Sequence, residues 1–244
     1  MSSLSLNRVQ TSRFFPSLLK TLLATFSLSA AQWSVAATPV VNAQPTIRAL
    51  SGATPIDRLD PRTTALVVID FQNEYFTGKM PIPDGMHALE NTRRLIQFAD
   101  KASLPVIHVQ HVAPKDSAVF ALGSEGVEFH PLMKPRAQDK QVQKSTVSVF
   151  ASTDLDSQLK KAGIKTVIIS GLMTHACVAG AARDAVPLGY GVVVASDASA
   201  TRTITRANGD SVSADALHRA ALAEIEDTFG DVLTTAQIIN LPLH

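Results

Sequence analysis

The chain has 244 residues, 45% of them apolar and 5% aromatic, with a formal charge of +1. That is ample material for a packed domain whose core is built from Val, Ile, Leu and Ala rather than from aromatic rings. A near-neutral balance with no basic stripe interleaved with aromatics excludes nucleic acid as an expected partner.

The first segment is read apart from the fold. Its only charges are Arg8, Arg13 and Lys20, and no acid occurs before Asp57. A mostly apolar run follows over 21–31, and then the small-x-small sequence Ser34-Val35-Ala36. A basic start, a short apolar run and a small-residue end have the form of a secretory signal peptide over 1–36. The run is about half of the ~20 residues that span a bilayer, so no stable membrane anchor is expected after cleavage. The expected location is therefore outside the cytoplasm, in the periplasm. Cys177 is the only cysteine, so no internal disulfide can brace the exported chain. A lone thiol is either a reactive group or an inert core residue.

Residues 37–62, rich in Pro, Ala, Thr and Gly without periodicity, read as a linker and an irregular lead-in to a single domain over 63–244. From Thr64 the chain alternates between two kinds of segment. Aliphatic runs at 65–69, 106–109, 167–169 and 192–195, with a weaker one at 141–143, have the character of strands buried on both faces. Between them, Leu89, Thr92, Leu95/Ile96, Ala99 and Ala102 recur at helical spacing. So do Val178, Ala181/Ala182, Ala185 and Leu188, and later Leu217, Ala220/Ala221, Ile225 and Thr228. Thr153 is the expected cap of a short helix through Leu155 and Leu159, with Asp156 completing a capping box. Gly163 ends that helix, and Gly189 ends a longer one over 176–188. The alternation predicts a three-layer α/β/α fold around a mostly parallel, Rossmann-like central sheet.

In such a sheet, ligands bind beyond the carboxyl ends of the strands. Asp70 closes the first aliphatic run, Lys144 follows the weak strand, and Cys177 lies where the 167–169 strand turns into a helix. Each has an inert alternative: a turn cap, a solvated lysine, a small core residue. Together they have a shared logic. A thiol in the first turn of a helix faces free N–H groups, which favours thiolate. A carboxylate can take its proton and pass it to a leaving amine, with an ammonium holding the two in register.

Three segments then carry a resemblance. Leu66-Val67-Val68-Ile69-Asp70-Phe71-Gln72-Asn73 is similar to the first-strand motif of the isochorismatase-like hydrolases, a family that includes the nicotinamidases. Lys144-Ser145-Thr146-Val147-Ser148-Val149-Phe150 resembles their lysine motif, and Ser170-Gly171-Leu172-Met173-Thr174-His175-Ala176-Cys177-Val178 their nucleophile loop. The resemblance runs from about Thr64 to Leu241. It implies Asp70 as general acid/base, Lys144 as the orienting cation and Cys177 as the nucleophile. It further implies a cis peptide between Leu172 and Met173, and an oxyanion site at the N–H groups of Met173 and Cys177.

Phe71, Phe76, His111, Phe120, Phe129, Thr174 and His175 are candidate pocket residues, since each lies in or near a loop after a strand or in the nucleophile loop. His218, on the last amphipathic helix, is read as structural. Nicotinamidases carry a metal held by an Asp and several His after the second strand. Here His108 and His111 are three apart on a strand and point to opposite faces, so no metal and no cofactor is expected. The expected partner is a small amide or ureide, cleaved at a C–N bond through a thioester, by a homo-oligomeric enzyme. An isochorismatase-type vinyl-ether hydrolase needs no nucleophilic cysteine, so the intact Cys177 speaks against it. An idle binding protein would need a broken triad.

Overall fold

The computed structural model describes residues 44–244. The signal peptide read at 1–36 and the start of the linker lie outside them. Six strands form one fully parallel sheet: β1 (Thr64–Ile69), β2 (Val106–His111), β3 (Lys140–Lys144), β4 (Thr166–Leu172), β5 (Gly191–Ala200) and β8 (Asp231–Leu233). Their spatial order is β3-β2-β1-β4-β5-β8. Two further strands, β6 (Ile204–Thr205) and β7 (Ser211–Val212), make a separate antiparallel hairpin, and a short helix, α1 (Ile47–Leu50), precedes β1.

Every residue of β1 is buried, because the sheet is covered on both faces and successive side chains enter opposite layers. Leu66 and Val68 pack with α2 (Gly85–Ala102) and with Ile238 of a short C-terminal helix. Ala65, Val67 and Ile69 pack on the other face with α3 (Leu155–Lys161), α4 (Ala179–Ala185) and Ile225 of α5 (Ala214–Thr228). Burying each such Val, Leu or Ile contributes about 1.5–3 kcal/mol, so this double-sided strand is the centre of stability. The three-layer α/β/α architecture expected from the alternation is the one the chain adopts. β3 gave a weak signal because it is the edge strand, with only Val142 and Lys144 buried.

Local details depart from the expectations. No capping box forms at α3. The Thr153 hydroxyl does accept from the Leu155 N–H at 3.2 Å, but Asp156 is taken up by Lys160 and Tyr190. The helix expected over 176–188 is a wide turn over Thr174–Val178 followed by the seven-residue α4. Residues 44–62, within the stretch read as linker, are anchored to the domain. Arg48 pairs with Asp231 at 3.0 Å, and Leu59 is buried, its N–H bonded to the Pro242 carbonyl.

The sheet grows in one direction from β1 through β2 to β3, and in the other from β4 through β5 to β8. The carboxyl ends of β1 and β4 flank the point where the order reverses, where α/β sheets open a crevice.

Candidate active site

Strand alternation brings the predicted residues together. Val109 and Val142 point into the layer that holds α3 and α4, so His111 and Lys144, two residues further along each strand, point the same way. The two are direct partners in the β2–β3 register. Asp70 follows Ile69 and turns with φ 55°, a conformation rare outside glycine and tolerated by Asp. Its N–H is tied to the Val109 carbonyl at 3.0 Å. On β4, Gly171 has φ 148°, and a Cβ there would meet the Ile69 carbonyl oxygen at 2.4 Å. Only glycine lets the nucleophile loop lie this close to β1. The Leu172–Met173 peptide is cis, as the resemblance implied. The Met173 carbonyl accepts from the N–H groups of Ala176 and Val178, closing the turn that holds Cys177.

The Lys144 ammonium is the hub. Its Nζ lies 2.7 Å from Asp70 Oδ2, 3.3 Å from Cys177 Sγ and 2.9 Å from His111 Nδ1. It also donates to the Thr146 carbonyl at 3.2 Å. Asp70 meets it as an ion pair, without the alignment of a hydrogen bond at either carboxylate oxygen. The cluster is almost closed to water: Asp70 is 0%, Lys144 2% and Cys177 5% exposed.

Burial dominates the electrostatics. Desolvation raises the Asp70 pKa, and Lys144 offsets this only in part. Burial alone would lower the Lys144 pKa, but the Asp70 carboxylate 2.7 Å away, the first of the groups that raise it, helps to outweigh burial and the ammonium is retained. His111 is pushed down to about 4 by burial and then by Lys144, so its imidazole is neutral and Nδ1 accepts from the ammonium. The Cys177 thiol is pushed up to about 12, first by burial and then by the Asp70 charge. This overturns the expected resting thiolate. The wide turn and short α4 supply little dipole, whereas desolvation and the Asp70 carboxylate both favour the thiol. Cys177 should therefore react with iodoacetamide more slowly than a model thiol at pH 7.5; mass spectrometry of timed samples checks this.

The pocket candidates divide. Phe71 is a core residue, 0% exposed, and not a pocket wall. Phe76 packs on His130 at 4.4 Å between centroids, and Phe129 lies edge-on to His108. Phe120 does adjoin the cluster, lying 5.0 Å from the His111 ring and edge-on to Tyr75 at 5.2 Å. Thr174 and His175 bond to groups other than the ammonium hub. The Thr174 hydroxyl bonds His218 Nδ1 at 2.8 Å, and His175 Nδ1 bonds the Thr201 hydroxyl at 2.6 Å. His218 is thus tied to the loop that holds Cys177, a contact that its place on an amphipathic helix does not announce.

Two neighbours escaped the sequence reading. The buried Gln72 amide clamps the His111 backbone, its Oε1 accepting the His111 N–H and its Nε2 donating to the His111 carbonyl, both at 2.8 Å. A glutamine amid a buried aliphatic motif was the available signal, since such an amide must find partners. Tyr75 is buried, and desolvation, its largest perturbation, holds the phenol protonated.

Asp70, His111 and Cys177 place one donor atom each within 4.8 Å of the others, the only such trio among the described residues. A metal does not fit there. The ammonium of Lys144 already sits within 3.3 Å of all three donors, and a second cation would have to displace it. His108 points into the opposite layer, with Nε2 3.2 Å from Asp139, beside a cavity of about 250 Å³ that the triad does not reach.

The chain is similar to proteins of one family. Residues 64–237 match the isochorismatase domain model. The isochorismatase family protein YddQ of Bacillus subtilis is 35% identical over 175 residues, covering 71% of this chain and 97% of that protein. A streptothricin hydrolase of Streptomyces noursei is 35% identical over 159 residues, 64% of this chain and 57% of its own. The crystal structure of a cysteine hydrolase from Pseudomonas syringae superposes with a TM-score of 0.72 at 29% identity, over 81% of this chain and 96% of that one. The chain belongs to the isochorismatase family, and it is a hydrolase.

Proposed function

We propose that the protein is a cysteine amidohydrolase that cleaves the C–N bond of a small amide or ureide through a thioester on Cys177. The observation that carries this reading is the contact of one buried ammonium with a carboxylate, a thiol sulfur and an imidazole. With the thiol protonated at rest, Asp70 takes the proton as Sγ attacks the substrate carbonyl. The Sγ–C bond forms, and the carbonyl electron pair moves to oxygen, where the N–H groups of Met173 and Cys177 are the proposed donors. When the tetrahedral species collapses, the C–N bond breaks and Asp70 returns its proton to the departing nitrogen. Water then adds to the thioester with Asp70 as base, releasing the acid and restoring the thiol. Lys144 keeps its proton throughout and offsets whichever anion is present.

Screening the purified protein for ammonia or amine release across small amides and ureides tests the reading. Turnover of at least one that disappears in Cys177→Ala supports it, and turnover of vinyl ethers alone would replace it with the ether-hydrolase reading.

Export and self-association belong to the same proposal. The basic start, the apolar run and Ser34-Val35-Ala36 support cleavage before Ala37. N-terminal sequencing of periplasmic protein should read from Ala37, and an intact Met1 in the cytosolic fraction would refute export. Light scattering on the mature chain tests the homo-oligomer.

A further inference from the structure

The catalytic cluster is closed, yet a substrate has to reach Sγ. Asp70, Lys144 and Cys177 are 0%, 2% and 5% exposed, so a side chain beside them must move. Phe120 is placed to do so. It is 5% exposed, and its ring lies 5.0 Å from the His111 ring. His111 in turn brings a ring nitrogen within 4.8 Å of the Asp70 and Cys177 donor atoms. The Phe120 backbone has φ 54°, a left-handed conformation that is an outlier for a bulky side chain. Strain of this kind persists only where surrounding contacts impose it, and it gathers at clamps and switches. Here the Phe120 carbonyl accepts the Ala113 N–H at 2.9 Å, and the Leu122 N–H donates to the Ala113 carbonyl at 3.0 Å. The Lys79 ammonium bonds the Ala118 carbonyl at 2.7 Å. The backbone is pinned on both sides of Phe120, which leaves its ring as the part free to turn.

There is space for it to turn into. A cavity of about 300 Å³ is lined by Phe120 together with Thr77, Ser117, Ala121 and Ser124, and by none of Asp70, Lys144 and Cys177. A volume at the lower end of the range of ligand pockets has room for a phenyl ring. We infer that Phe120 is the gate of the active site and the residue that sets the size of what enters. Its ring swings from His111 into this cavity, and the slot that it vacates leads along His111 to Cys177. The width of that slot limits the group carried on the reacting carbon. Such a gate governs access to Cys177 whichever bond the enzyme cleaves, and alkylation of the thiol reads it without turnover.

The experiment compares two alkylating agents of different girth, iodoacetamide and N-benzyliodoacetamide, on the purified full chain at one pH. The ratio of their rates cancels the thiol pKa, which acts on both alike. Wild type is expected to favour iodoacetamide more strongly than a small-molecule thiol does. Phe120→Gly removes the ring and suits the left-handed backbone. It should speed the bulky reagent by about tenfold or more and bring the ratio to that of the small-molecule thiol. Ala121→Trp fills the cavity while leaving Phe120 in place, so it should slow both reagents severalfold. Phe76→Leu, at a ring that packs on His130 instead, should leave the ratio unchanged. A wild-type ratio equal to that of the small-molecule thiol would overturn the inference. So would a ratio unaltered in Phe120→Gly or, where that variant does not melt cooperatively, rates unaltered in Ala121→Trp. An equal gain in Phe76→Leu would mean general loosening of the loops and would overturn it too.

Discussion

Replacing Cys177 by alanine is expected to lower turnover by about three orders of magnitude or more while leaving the fold in place, and replacing it by serine is expected to do nearly as much. The attacking atom is lost in the first case. In the second, a hydroxyl with a far higher pKa replaces the sulfur that lies 3.3 Å from the ammonium and must be deprotonated by the same carboxylate. Stability should move little. Removing one buried sulfur leaves a small gap in the core layer that also holds Val178 and the alanines of α4, costing about 1–2 kcal/mol. Circular dichroism melts beside single-turnover rates separate the two quantities. Turnover within a few-fold of wild type in Cys177→Ala would remove this residue as nucleophile. A protein that no longer melts cooperatively would show instead that the cysteine is chiefly a packing residue.

Sequence alone carried the sheet and the meeting of Asp70, Lys144 and Cys177 at its rim further than it carried their surroundings, for identifiable reasons. A strand covered on both faces is an unbroken aliphatic run, so β1, β2, β4 and β5 were legible, and the residue ending β1 could be placed at the rim. Alternation also set His108 and His111 on opposite faces, since each side chain's layer follows from its parity along the strand, whereas the pairing of His111 with Lys144 is a matter of the β2–β3 register. What lay beyond reach depends on contacts made across the fold. Phe71 follows Asp70 directly, yet it enters the core because the chain turns at φ 55°. The wide turn before α4 is invisible in a pattern of alanines that would suit an ordinary helix. The protonation state of Cys177 was misjudged on a local argument. A helix start favours thiolate, but burial to 5% exposure and the Asp70 charge are tertiary effects, and they win. His218 shows the same limit: its helix was legible, but the Thr174 hydroxyl it meets is 44 residues away.

Substituting either member of the buried ion pair should abolish activity, and the two substitutions should differ most in how stability responds to pH. Lys144→Met leaves the Asp70 carboxylate buried with no cation, and Asp70→Asn leaves the ammonium without its anion. Stranding one charge of a buried pair costs about 3–5 kcal/mol. In Lys144→Met the carboxylate can escape by protonation. Burial already raises the Asp70 pKa above 3.8, and loss of Lys144, which lowers it, must raise it further. The folded state then holds a proton that the unfolded chain, titrating near 3.8, releases more easily. Stability of this variant is therefore highest below the unfolded pKa and falls as pH rises toward the folded one, the charged form being the one the interior rejects. Its melting temperature should drop from pH 4 to pH 7, relative to wild type measured alongside. Asp70→Asn lacks that group and should show no such fall. The double variant Asp70→Asn/Lys144→Met strands no charge, so it should be more stable at pH 7 than Lys144→Met while being no less active than either single. If the two act in one step, their losses in rate overlap rather than multiply. A Lys144→Met variant with a flat stability profile across that range would mean that Asp70 is reached by water, and the closed site described above would have to be abandoned.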